Sequence, residues 1–516
     1  MLIVVTAVLA YGPIFGNGFA WDDGYLVLDN PAIQELSNVP NLFVQPWAAG
    51  TSYGLGARQN APYFRPVALA SMALDWSIAG PDPVVFHGTN LLLHLLSALL
   101  LWSWLRRVLG GGGTSPGPAG ERGPLLALIG ALLWAVHPVN TEAVSLVSYR
   151  TTLLSGLSMF AALRLLTPVA RADRQPPAET GAPAAVGGVL CFAVGLLSKE
   201  TTAVLPALLL AFDVLLGRLS LRRIASVYLP LAAVGVAWWF ARAGVTGSDI
   251  YTWFDGLTHW QSALMVPRIF FLYVRLALLP WPLCPFYDWS VLGTPNSLLE
   301  PDILAGTLLL AGMLAAVPLL RRRLPVVAFG LAWTFLALLP VSHIMPFFDA
   351  AGDRFLYVPL AGWIVAVAGV AAALHGSPAM RRLGMGLVAV ALAGFVSLTV
   401  VRTGEWRDDE TILRATTRDF PQSLSAHLGL GRLYLGTGRP GAAILELSEV
   451  VRMAPSLAVA HALLAVAQGR DGDLVAARRT LRDGPPPEQG LPSVVEIART
   501  ELYKAGEMTL MHRMGL

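Results

Sequence analysis

The chain has 516 residues, of which 55% are hydrophobic and only 13% charged, with a mean hydropathy of +0.59. Soluble domains carry roughly 25% charged residues, so too little polar sequence remains to wrap this apolar mass in water, and an all-α, polytopic membrane bundle is expected. The formal net charge of +3 gives no ground for a nucleic-acid partner, and the two cysteines, Cys191 and Cys284, form neither a disulfide framework nor a metal-ligand spacing.

About 20 apolar residues cross a bilayer as a helix. That ruler predicts about eleven spans, near 2–16, 86–105, 124–138, 148–166, 184–198, 202–217, 224–242, 302–320, 325–343, 355–374 and 383–401. The stretch 263–283 is also apolar, but Arg268, Arg275 and Pro280 within it favour a bent, re-entrant or interfacial pair. Arg106, Arg107, Arg122, Arg171, Arg174, Arg218, Arg222, Arg223, Arg321, Arg322, Arg323, Arg381 and Arg382 fall in alternate loops, which the positive-inside rule places in the cytoplasm. The N-terminus is then cytoplasmic and the C-terminus external. The opposite loops hold few cations: Arg58, Arg65, Arg150, Lys199, Arg242 and Arg354. Each of these needs a local reason to be there.

Two domains follow from this pattern, a membrane domain over 1–401 and an external tail over 402–516. Within the first, the external loop 17–85 is rich in Gly, Pro, Trp and Tyr and poor in charge, so it reads as a functional loop rather than a disordered one. In the tail a 34-residue period appears, in which Ala426, His427, Leu430, Gly438 and Ala443 recur as Ala460, His461, Leu464, Gly472 and Ala477, and Pro421 recurs as Pro455. This is the tetratricopeptide-repeat pattern, with repeats at about 424–457 and 458–484 and flanking helices. The tail is either a cap on the membrane domain or a groove for a partner.

The polar residues that could carry chemistry collect in the external loops. Asp22 and Asp23 follow the first span. Adjacent carboxylates usually point apart, so one could serve as a base while the other holds a hydrogen bond; the alternative is a solvated pair. Arg65 lies in YFRPV, where Pro66 enforces extended backbone and a planar guanidinium suits phosphate; the alternative is a lipid anchor. His87, Asn90 and His94 share one helix face, and the histidines stand roughly 10 Å apart along it, too far for chelation. His137, Asn140, Glu142 and Arg150 crowd the second external loop. Lys199 and Glu200 form the tip of the third, and Asp349, Asp353 and Arg354 lie in the last. Charges concentrated on one side argue for a site there rather than a path through the membrane. No P-loop, zinc signature, dinucleotide fingerprint or nucleophile elbow is present in the sequence.

The ordered set of Asp22-Asp23, Tyr63-Phe64-Arg65-Pro66, His87/Asn90/His94, HPVNTEAV, SKE, Asp288-Trp289-Ser290 and Asp353-Arg354-Phe355-Leu356-Tyr357-Val358-Pro359, followed by Trp406 and the repeats, resembles the transmembrane-and-tetratricopeptide-repeat O-mannosyltransferases, in a bacterial relative. These belong to the GT-C class of glycosyltransferases. The repeat tail is shorter than the long arrays of the animal proteins. The resemblance implies transfer of one sugar, mannose or another hexose, from a polyprenyl-phosphate carrier to an external hydroxyl of protein Ser/Thr, with inversion. It implies Asp22 and Asp23 as the catalytic acidic pair, and Arg65, Arg354 and Lys199 at the donor phosphate. His87, Asn90, His94, His137, Glu142, Arg150 and Glu200 would line the site. No cofactor is fixed by it; a divalent metal is open, with Glu142 as its candidate ligand. The implied partners are the lipid-linked sugar, a protein or glycan acceptor that the repeats could hold, and membrane lipid. The implied location is a bacterial inner membrane with the repeats on the periplasmic side. Transfer to a lipid or glycan, or a non-catalytic scaffold, are the rival readings.

Overall fold

The computed structural model describes residues 1–51, 63–110, 118–167, 181–246, 257–344, 350–374, 377–487 and 492–516. Arg58, Arg171, Arg174 and Asp349, singled out above, lie outside the described residues. The regular elements among the described residues are all helical. The chain forms two compact units, Met1–Leu283 with Pro295–Arg407, and Cys284–Thr294 with Asp408–Leu516.

The first unit contains α1 (Leu2–Tyr11), α2 (Pro66–Ala79), α3 (Pro83–Gly110), α4 (Pro118–Ala135), α5 (Thr141–Ser145), α6 (Arg150–Leu166), α7 (Ala182–Leu196), α8 (Leu205–Leu215), α9 (Leu221–Arg223), α10 (Leu229–Thr246) and α11 (His259–Leu278). After α12 (Trp289–Leu292), a single turn in the other unit, it continues with α13 (Pro301–Leu320), α14 (Pro325–Leu338), α15 (Pro359–Ala373) and α16 (Pro378–Glu405). Many of these helices open on proline, whose fixed φ and missing N–H suit the first helical position. Each of the eleven sequence-predicted spans falls on a helix. Among the described residues five helices are long and apolar enough to cross a membrane, or six if the bent pair Arg122–Ala135 and Pro138–Ser145 counts as one; shorter apolar helices include Ala182–Leu196 and Pro359–Ala373. The apolar windows of Leu221–Thr246 and Pro378–Glu405 are only 11% and 6% buried, as expected of faces that meet lipid. The protein is therefore a multi-pass membrane protein.

The centre of this unit is aromatic. Trp104 meets Trp333 edge to face at 5.3 Å, and Trp134 meets Phe160 at 5.3 Å and Tyr357 at 4.8 Å. Buried indoles need acceptors, and Trp134 and Trp333 donate to the carbonyls of Tyr357 and Val358 at 3.0 and 3.1 Å. These two bonds tie the last polar loop to the core. α14 and α15 approach closely through glycine: a Cβ at Gly330 would stand 2.4 Å from the backbone nitrogen of Ala366, which no side chain allows.

An ion pair gathers three helix ends. Arg223 pairs with Asp213 and donates to the Leu166 carbonyl at 2.8 Å, so the ends of α6, α8 and α9 lie together. α6 begins at Arg150, at its opposite end among the polar loops. α11 finishes there too, with His137 Nε2 3.2 Å from the Ala277 carbonyl. α11 is among the helices long and apolar enough to cross a membrane. It is one continuous helix rather than a bent pair, even with Pro267 inside it. Its buried Arg268 is neutralised by Glu300 and Asp302.

The second unit contains α17 (Asp409–Asp419), α18 (Leu424–Gly436), α19 (Pro440–Met453), α20 (Ala458–Arg470), α21 (Leu474–Asp483), α22 (Val494–Lys504) and α23 (Met508–Met514). The 34-residue period recurs as geometry. His427 and His461 lie 3.0 and 2.9 Å from the carbonyls of Pro421 and Pro455, and Ala443 and Ala477 are fully buried. Gly438 and Gly472 turn each hairpin at φ +70° and +96°, where a Cβ would be strained. The segment Cys284–Thr294 straps this unit from far away in sequence. Asp288 Oδ2 accepts from Ser425 N at 2.9 Å, Ser290 Oγ accepts from Leu424 N at 2.9 Å, and Tyr287 packs edge-on to Phe420. Two orphan N–H groups at the start of α18 are thereby satisfied.

Candidate functional site

Five polar loops meet at one end of the first unit: the turn after α1, the entry to α2, the α4–α6 loop, the α7–α8 turn and the segment before α15. The adjacent aspartates diverge. Asp23 is fully buried, and its Oδ1 and Oδ2 accept from Ser148 N at 2.7 Å and Val147 N at 3.1 Å. Burial pushes its carboxyl up to about 7, against the pull of those hydrogen bonds and with a further push from Asp22. Asp22 is only half-buried. It accepts from Tyr25 Oη and, at 3.3 Å, from Tyr149 Oη. Just before them Trp21 adopts φ +55°, an outlier for so bulky a residue and one of the strained positions that cluster at working sites.

The cations sit opposite. Arg354 is 6% exposed and held by Glu142 at both its side chain and its backbone N–H, the latter at 2.6 Å. Its guanidinium lies 4.2 Å from the Tyr149 ring centroid and 4.5 Å from that of Phe355. Lys199, 5% exposed, donates to Thr152 Oγ1 at 2.7 Å and stands 5.3 Å from the Phe355 ring. Lys199 and Arg354 share the wall of a cavity of about 30 Å³, with Thr152, Ser155, Thr201 and Tyr357 among its lining residues. Arg65 is not in that wall. It makes a two-pronged pair with Glu200 at 3.1 and 2.6 Å and stacks on Tyr63 at 4.0 Å. Burial would raise the Glu200 carboxyl, but the Arg65 charge and hydrogen bonds outweigh it and hold the group below its ordinary value.

Several expected site residues turn out to hold the loops. Arg150, fully buried, pairs with Asp75 at 2.6 Å and donates to Asn90 Oδ1 at 2.8 Å and to the Phe86 carbonyl at 2.9 Å. Asn90 in turn donates to the carbonyls of Val144 and Leu146 at 3.1 and 3.0 Å. His87 Nε2 lies 3.2 Å from the Gly18 carbonyl. His94 spans the Ala135 carbonyl and Tyr357 Oη at 2.8 and 3.0 Å while stacked on Trp134, and His137 tethers α11. These contacts place the histidines in the packed interior rather than at the cavity. Among the described residues no group of three His, Cys, Asp or Glu is arranged to hold a metal. Both Glu142 oxygens accept from Arg354, so the donor set does not fit a divalent ion.

Sequence reasoning passed over Asp75, Tyr25, Tyr149 and Thr152. Asp75 had a usable signal, a lone carboxylate in the apolar helix PVALASMALDWSIA that would need a buried cation. The tyrosines carried no signal that separates them from interfacial anchors.

No family profile matches the chain. Among curated proteins it is 24% identical over 493 residues to human Protein O-mannosyl-transferase TMTC4, covering 86% of this chain and 65% of that one. It is 25% identical over 497 residues to the mouse protein of the same name, with the same coverage. It is 24% identical over 516 residues to Drosophila melanogaster Protein O-mannosyl-transferase Tmtc3, covering 88% of this chain and 55% of that one. The chain thus spans about two thirds or less of the length of these relatives.

Proposed function

We propose that this chain, a relative of the transmembrane and tetratricopeptide-repeat O-mannosyltransferases, transfers a single hexose, most simply mannose, from a polyprenyl-phosphate carrier to a protein Ser/Thr hydroxyl on the external side of its membrane. The observation that carries the reading is the cavity walled by Lys199 and Arg354, close to a half-exposed carboxylate. Departure of the carrier phosphate builds negative charge in the transition state. Fixed cations in a mostly dry wall stabilise that charge more than the ground state. Asp22, which an acceptor can reach, takes the hydroxyl proton, and direct displacement inverts the anomeric carbon. Asp23 is walled off from any acceptor and shapes the loop instead. Arg65 neutralises Glu200, so that the neighbouring Lys199 keeps its charge for the phosphate. A lipid tail supplies binding remote from the chemistry. Positive-inside bias puts this end outside the cytoplasm, and the repeats are suited to presenting a protein acceptor.

The test uses full-length protein in nanodiscs with polyprenyl-phosphate [³H]mannose and a Ser/Thr-rich peptide. Asp22→Asn is expected to lower turnover by roughly 10²–10⁴. Lys199→Ala is expected to raise the donor KM by roughly ten- to a hundredfold, and Arg65→Ala to do so more weakly. Near-normal turnover in Asp22→Asn, or an unchanged donor KM in Lys199→Ala, would overturn the assignment.

A further inference from the structure

The tripeptide Ser148-Tyr149-Arg150 at the start of α6 sends each residue a different way. Ser148 gives its backbone N–H to Asp23, and Arg150 plunges to Asp75 and Asn90. Both partners of this segment are buried and fixed, so Tyr149 between them has little freedom. It alone stays half-buried and points into the site. Its hydroxyl donates to Asp22 Oδ2 at 3.3 Å, while Cζ of Arg354 stands 4.2 Å from the centroid of its ring. One side chain therefore touches the half-exposed carboxylate with its tip and a cation of the cavity wall with its face.

Resting on the donor-transfer reading above, we infer that Tyr149 is a positioning residue that sets the spacing between the base and the phosphate-binding cation. The two contacts do different work. Tyr25 already donates to Oδ1 of Asp22, so the Tyr149 hydroxyl on Oδ2 completes a two-phenol clamp that fixes the plane of the carboxylate. Arg354 already has Glu142 as its anion. The electron-rich ring face attracts the guanidinium as well, which holds the cation against the cavity wall. A tip contact that aims the base governs turnover. A ring contact that places the cation governs donor affinity. The two are separable by substitution because phenylalanine keeps the ring and removes only the hydroxyl.

The experiment measures kcat and donor KM for full-length wild type, Tyr149→Phe, Tyr149→Trp and Tyr149→Leu in nanodiscs, with polyprenyl-phosphate mannose and a Ser/Thr-rich peptide. Tyr149→Phe and Tyr149→Trp should lower kcat by about tenfold with donor KM within about twofold of wild type. Tyr149→Leu should lower kcat as much and also raise donor KM by roughly three- to thirtyfold. If Phe and Leu change donor KM alike, or if Phe leaves kcat at the wild-type value, the division of labour is refuted, and the aromatic variants carry the test even if Leu disturbs folding. Failure of wild type itself to transfer mannose would instead sink the donor reading on which the inference rests.

Discussion

Asp23→Asn isolates what burial does to one member of a sequence-adjacent pair. In the folded protein the Asp23 carboxyl is pushed up to about 7 from an ordinary value of 3.8. Between those values the folded state binds more protons than the unfolded state, so stability is greatest at low pH. It falls as pH rises through the window and is flat above it. The full span is about 4 kcal/mol, and about 2 kcal/mol of it lies between pH 5 and 7. Asparagine cannot titrate. It also offers one oxygen where Asp23 offers two to the N–H groups of Val147 and Ser148, which costs about 1–3 kcal/mol. The variant should therefore be clearly less stable than wild type at pH 5, and the gap should shrink or reverse by pH 8. Unfolding in mixed micelles, followed by tryptophan fluorescence at four pH values, reads the gap directly. Asp22 contributes to the shift, so the comparison is repeated in an Asp22→Asn background. A gap constant to within about 0.5 kcal/mol from pH 5 to 8 would refute the argument that burial sets the ionisation of Asp23.

Arg150→Met should cost about 3–5 kcal/mol because it strands the buried Asp75 carboxylate, whereas the double change with Asp75→Leu should recover most of that loss; equal stability of single and double variants would count against the pair. Asp288→Ala should loosen the Cys284–Thr294 strap by about 0.5–2 kcal/mol for each lost cap, and limited proteolysis of the full chain should then cut there faster than in wild type. Cysteines placed at the exposed positions Ser37 and Gln422 should react with an impermeant maleimide from one side of the membrane, and one at Ser377 from the other. Labelling of Ser377 together with either of the first two would contradict an odd number of crossings.

The all-helical membrane class is legible because lipid solvation demands long apolar runs, and the 34-residue period because small residues such as Ala443 and Ala477, both buried, recur at a fixed spacing. What stayed hidden was pairing over long separations. Nothing in YFRPV says that Arg65 pairs with Glu200, and nothing in DWS says that Asp288 caps a helix more than a hundred residues later. The loop 17–85 contains the apolar helix α2, which its Gly, Pro, Trp and Tyr content does not announce. His94 is a candidate site residue on sequence because an ionisable group in a span is a functional candidate by default. Its two partners, a carbonyl and a tyrosine, come from segments that sequence spacing cannot bring together.

The same limit explains why Asp22 and Asp23 could be named from sequence but not told apart. Their local sequence is one motif, and their difference lies in what the α4–α6 loop offers each of them. Backbone N–H groups close over Asp23, while two phenols leave Asp22 reachable. A proton acceptor must meet its substrate, and a buried carboxyl pushed toward neutrality is better suited to organising a loop than to meeting a hydroxyl. Under the proposed reaction, geometry therefore divides the labour that the motif leaves shared. A substitution at Asp23 should appear first in stability and its pH dependence, and one at Asp22 first in turnover.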